Sequence, residues 1–151
     1  MNKQKEKKKT ITVNTAQLII PSLSVNEALA RSFAASFMMQ LNPTVGEVSD
    51  MKCAVSEAVT NSIVHAYEGT VGKIKIKLSL TDNRVLIVDV IDKGKGIADV
   101  SEAVKPLFTT KTDGERSGMG FTVMETFTDK MRVYSKPGSG TRVRLIKKIS
   151  D

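Results

Sequence analysis

The chain has 151 residues and 40% hydrophobic content, which suits one domain with a real core. It has no apolar run long enough to span a membrane and no apolar segment behind its N-terminal lysines, so a cytoplasmic protein with no membrane contact is expected. Cys53 is the only cysteine, which excludes an internal disulfide and a cysteine-rich zinc site.

The formal net charge is +7, and Lys3, Lys5, Lys7, Lys8 and Lys9 against Glu6 account for four of those charges. Residues 1–12 therefore read as a flexible lysine-rich tail and 13–151 as the domain. The remainder shows no basic run interleaved with aromatics, so no direct nucleic-acid partner is expected.

A first strand lies between Ile11 and Ile20 and ends at Pro21. Ser24 to Glu27 has capping-box spacing. Leu29, Phe33, Phe37 and Leu41 then mark the apolar face of a helix ending near Asn42-Pro43. Thr44 to Glu47 repeats the capping-box spacing and opens a second helix running to about His65. That helix is apolar over most of its surface, and Cys53 is expected to be buried in it. Glu57, Asn61 and His65 nevertheless fall on one face, which suits the floor of a polar pocket. His65 reads as a helix-end residue.

After a turn at Gly69–Gly72, Ile74, Ile76, Leu78 and Leu80 alternate with polar residues, giving a strand with one core face and one wet face. Asp82-Asn83 reverses the chain, and Val85 to Ile91 reads as a central strand that stops at Asp92. The segment from Lys93 to Gly118 is irregular, with a short helix between Val100 and Val104, and its length suits a lid. A helix follows from Gly118 or Met119 to Thr128, with Phe121, Met124 and Phe127 as its core edge. Strands at Met131–Ser135 and Thr141–Ile146 flank a Pro-Gly-Ser-Gly turn. The fold class is α+β: a mixed, mostly antiparallel sheet with helices over one face.

Three short segments carry the chemistry. In Glu57-Ala-Val-Thr-Asn61 the amide oxygen of Asn61 suits Mg2+, a hard ion that takes oxygen ligands and keeps several waters. Glu57, one turn earlier, can accept a proton or order a metal-bound water. Asp92 can accept a hydrogen bond from an exocyclic amine such as adenine's, and Gly94 and Gly96 permit close backbone approach. Gly118 and Gly120 expose free N–H groups at a helix start, a natural phosphate site. Between the second and third segments, Lys111 and Arg116 can neutralise or clamp phosphate. The P-loop and the protein-kinase motif set are both missing, so a different nucleotide fold is required.

These segments resemble the N, G1 and G2 boxes of the GHKL ATP-binding superfamily. More closely, Ser56–Tyr67, Pro106–Lys111 and Glu115–Glu125 resemble the sporulation anti-sigma factors of endospore-forming bacteria, with similarity from about Gln17 to Ile149. The resemblance implies a Bergerat fold, a homodimer, inhibition of sporulation sigma factor F, and phosphorylation of a serine on an anti-anti-sigma factor with Mg-ATP, ADP being the product nucleotide. It further implies a nucleotide-dependent switch between the two partners. By resemblance, Glu57 is the catalytic base, Asn61 the magnesium ligand, Asp92 the adenine-reading acid, and Gly94, Gly96, Gly118 and Gly120 the nucleotide-cradling glycines. Thr109, Thr110, Lys111, Ser117 and Met119 belong to the ATP lid and its border, Phe121 follows the last glycine, and Thr141 supports the adenine pocket. Arg116 faces phosphate and partner, and Arg31 the docking surface. The chain departs from the family pattern in its longer lysine-rich start and at lid residues 112–114. Alternatives are a nucleotide-sensing binding protein without kinase activity and a kinase that serves another sigma factor.

Overall fold

The computed structural model describes residues 7–105 and 120–151. Five strands form one sheet: β1 (Thr12–Pro21), β2 (Lys73–Thr81), β3 (Val85–Asp92), β4 (Lys130–Lys136) and β5 (Gly140–Lys148). Their order is β1-β2-β3-β5-β4, and all four pairings are antiparallel. The strand read as central therefore is central, between β2 and β5. Alternation decides the faces. Ile74, Ile76, Leu78, Leu80, Leu86, Val88, Val90, Val143 and Leu145 point into the core, while Lys73, Lys77 and Arg132 are exposed on the opposite face. On that outer face Arg144 donates two hydrogen bonds to Asp89, both at 2.8 Å.

The α-helices among the described residues are α1 (Asn26–Met38), α2 (Val45–Asn61), the short α3 (Val100–Ala103) and α4 (Gly120–Thr126). α1, α2 and α4 pack side by side on the inner face. Among the described residues, no helix is long and apolar enough to cross a membrane. The capping box at α2 forms as expected: the Glu47 N–H donates to Thr44 Oγ1 at 3.1 Å, and the Thr44 N–H donates to Glu47 Oε1 at 2.8 Å. Two further hydrogen bonds from Ser150 reach the same carboxylate, tying the C-terminal segment to the start of α2.

Three expectations need correction. The capping box at Ser24 does not form, because Val25 occupies the N-cap position with helical backbone and no side-chain cap bond. Asn26 instead anchors that turn through the Pro21 carbonyl at 3.0 Å, and the Glu27 side chain turns to Ser56 and Arg31. The buried centre of α1 is Ala30, Ala34 and Met38, each fully buried, whereas Leu29 is 50% exposed. An every-fourth-residue row drifts about 40° per step around a helix, so the row from Leu29 to Leu41 cannot stay centred on the core. Phe33, Phe37 and Leu41 pack against the core from its flank. Finally, Cys53 is exposed. The α2 core stripe is Met51, Ala54, Val55, Ala58 and Val59, and Cys53 lies off it, toward a surface groove.

Candidate functional site

α2 does not end at Asn61. It continues as a π-helical turn, Ser62–Ala66, a local widening that often accompanies functional sites. Within this turn Ser62 is buried and Ile63 packs against the core. Glu57 and Asn61 are half-buried on the last turns of α2. Gly120, at the first described residue of α4, stands against both. A methyl group there would lie 3.2 Å from both terminal atoms of the Asn61 amide and from Glu57 Oε2. The glycine thus lets the start of α4 come close to the carboxylate and the amide, and the first and third sequence segments meet at this point.

The second segment joins through Ser62. Its hydroxyl donates to Asp92 Oδ2 at 2.9 Å. Asp92 is buried at the end of β3, and its Oδ1 accepts the Gly94 N–H at 3.0 Å and the Thr141 N–H at 3.2 Å. The antiparallel register places Asp92 directly opposite Thr141. Thr141 is held in turn: its Oγ1 is 2.8 Å from Ser135 Oγ, which also accepts the Ile97 N–H at 2.8 Å. A carboxylate offers about four lone-pair positions, so three such donors fix its orientation and still leave an acceptor position.

The glycines of the second segment serve the protein's own packing. A methyl at Gly94 would fall 2.3 Å from the Ala66 carbonyl oxygen, and one at Gly96, where φ is +76°, 2.0 Å from the Lys136 carbonyl oxygen. Close backbone approach is therefore required here, with the neighbour being another loop of the same chain.

Arg31 on α1 forms an ion pair with Glu27 at 3.6 Å. It lines an open groove of about 630 Å³ together with Pro43, Lys52, Ser56, Glu57 and Val123. The expected docking arginine and the expected base thus face one groove. Among the described residues, no group of three or more His, Cys, Asp or Glu side chains is placed to hold a metal. The donor set of Asn61 and Glu57 suits a Mg2+ whose remaining ligands come from phosphate and water, not a cage built of protein. Thr109, Thr110, Lys111, Arg116, Ser117, Gly118 and Met119 lie outside the described residues.

Sequence reading did not single out Ser62, Ser135 or Tyr67 as site residues. Ser62 is next to Asn61 in the chain, yet its role depends on Asp92, and no periodic signal in α2 points there.

Comparison with known proteins places the chain firmly. The profile of the histidine kinase-like ATPase domain matches residues 20–147. The chain is 54% identical to the anti-sigma F factor of Caldanaerobacter subterraneus subsp. tengcongensis over 136 residues, covering 90% of this chain and 94% of the relative. It is 49% identical to the anti-sigma F factor of Bacillus subtilis over 138 residues, covering 91% and 94%. Among solved structures, the RsbU and RsbW domains of a Mycobacterium tuberculosis protein superpose with a TM-score of 0.68 at 18% identity, covering 92% of this chain and 33% of that one. A blue-light activated histidine kinase domain from Erythrobacter litoralis gives a TM-score of 0.55 at 18% identity, covering 86% of this chain and 62% of that one. At such identities these two likenesses bear on the fold alone.

Proposed function

Because the chain belongs to the histidine kinase-like ATPase family and, within it, to the anti-sigma F factors, we propose that it holds sporulation sigma factor F inactive and phosphorylates a serine of an anti-anti-sigma factor. The observation that carries this reading is the identity of 49–54% to anti-sigma F factors over nearly the whole of both chains. The apposition of Glu57, Asn61 and Gly120 beside the Ser62–Asp92 pair supports the chemistry.

In this reading Glu57 accepts the proton of the attacking serine hydroxyl, and its place in the same groove as Arg31 suits a protein substrate. Asn61 offers its amide oxygen as the protein ligand to Mg2+. Asp92, already oriented by three donors, accepts a hydrogen bond from the adenine amine. When bound, Mg-ATP supplies the transferable phosphoryl group, with the metal neutralising its charge. Arg116 and Lys111 complete the lid by resemblance. Arg31 belongs to the surface that receives both partners, and a nucleotide-sensitive lid decides which one stays. A homodimer is part of the same reading, supported by the exposed Val13 and Ile19 on edge strand β1 and Ile11 just before it.

The deciding experiment mixes the purified chain with Mg-ATP and candidate anti-anti-sigma proteins and reads phosphoserine by mass spectrometry. Transfer to one candidate is expected. Tight ATP binding with no transfer to any of them would overturn the kinase reading and leave a nucleotide-sensing binding protein.

A further inference from the structure

Tyr67 closes the π-helical turn that begins after Asn61, and its hydroxyl is used twice. It donates to the Lys73 carbonyl at 2.7 Å and accepts the Lys93 N–H at 2.7 Å. One oxygen atom therefore joins three segments: the end of the α2 extension, the first residue of β2, and the first residue after β3. The ring is fixed as well, since a methyl group on Gly72 would fall 2.3 Å from it. The next tie in the loop comes from Ala66, whose carbonyl accepts the Lys95 N–H at 2.9 Å.

We propose that Tyr67 is a positioning residue for nucleotide binding, setting the distance between the Asn61 end of the site and the Asp92 loop. Asp92 is the last β3 residue in the sheet ladder, opposite Ile74 and Thr141. Lys93 is the first residue beyond it, and Tyr67 Oη holds its N–H. The following N–H, that of Gly94, donates to Asp92 Oδ1. A shift of the Lys93 peptide carries Gly94 with it and changes the direction of the carboxylate, so Tyr67 acts on Asp92 through Gly94. Both bonds are exposed, so without the hydroxyl water can satisfy each backbone group separately, but it does not hold the two groups at one fixed point.

The inference rests on the proposed nucleotide site, and its test separates the two. Tyr67→Phe removes one oxygen and keeps the ring. Leu80→Val is the control: Leu80 is buried and pairs with Leu86, at the end of β2 away from Asp92. For Tyr67→Phe, the Kd for ADP and the KM for ATP should rise about tenfold while kcat stays within twofold of wild type. Leu80→Val should lose thermal stability and keep the wild-type Kd. Hydrogen exchange on the wild-type chain gives a second readout, in which ADP should slow exchange at Lys93 and Gly94. The inference fails if Tyr67→Phe binds ADP normally, if the control weakens ADP equally, if kcat falls while KM stays, or if ADP leaves those two amides unchanged. In each of these cases a wild-type chain that phosphorylates its substrate keeps the functional reading intact. A folded wild-type chain that binds no adenine nucleotide sinks both.

Discussion

Ser62 and Asp92 share a 2.9 Å hydrogen bond across 30 positions of chain, joining the residue after Asn61 to the acid at the end of the central strand. This bond holds one oxygen of Asp92 while backbone N–H groups hold the other. Ser62→Ala should let the carboxylate turn and weaken adenine-nucleotide binding about tenfold, with a smaller preference for ATP over GTP. Calorimetric titration with both nucleotides checks this, and unchanged affinity and preference would show that Thr141 and Gly94 suffice.

Glu57→Gln keeps the size of the side chain and removes the proposed base. Phosphoryl transfer should fall roughly 100- to 10,000-fold with ADP affinity little changed. Single-turnover transfer measured beside ADP titration separates the two effects. Near-normal transfer would remove Glu57 from the role of base, and an equal loss of affinity would make its role structural.

Arg31→Glu reverses a charge in the groove that also contains Glu57. Both protein partners should bind at least about tenfold more weakly, the loss typical of a central charged contact, while ATP affinity stays within about twofold. The new Glu would face Glu27 one turn away, at a cost to the helix of only about 0.5 kcal/mol. Surface plasmon resonance in ADP and in ATP is the measurement. Normal binding of either partner would place its docking surface elsewhere.

Gly140 has φ +90°, and a methyl there would stand 2.1 Å from the Asp92 carbonyl oxygen. Gly140→Ala should therefore destabilise the fold by at least about 2 kcal/mol. Denaturant unfolding checks it, and wild-type stability would mean that the turn relaxes without effort.

Backbone hydrogen bonds from Thr44 and then Ser150 lower the Glu47 carboxyl pKa to about 2, from an ordinary value of 4.5. A carboxyl depressed on folding stabilises the fold above its unfolded pKa, and that contribution is lost as pH falls toward the folded value. The stability advantage of wild type over Glu47→Gln should be constant above about pH 5 and shrink between pH 4.5 and 2. Thermal melts across that range test it, and a difference independent of pH would exclude the charged form as the cause.

Much of this protein was legible in the chain alone. Strict alternation from Ile74 to Leu80 sets the core face of β2, Thr44 and Glu47 open α2, and the three short segments carry the family resemblance, because each is a local pattern read by local geometry. Other features depended on distant partners. Ser24 and Glu27 have the spacing of a cap, but Ser56 lies within reach and takes the carboxylate. Leu29 looks like a core residue, but the neighbours of α1 accept the smaller Ala30 and Ala34 at closest approach. Cys53 sits in an apolar run and still faces outward, because the packing of α2 against the sheet and its neighbouring helices selects one stripe. Ser62 and Tyr67 gain their roles only when α2, β2 and the end of β3 come together, because a hydrogen bond is set by distance in space and not by spacing in sequence.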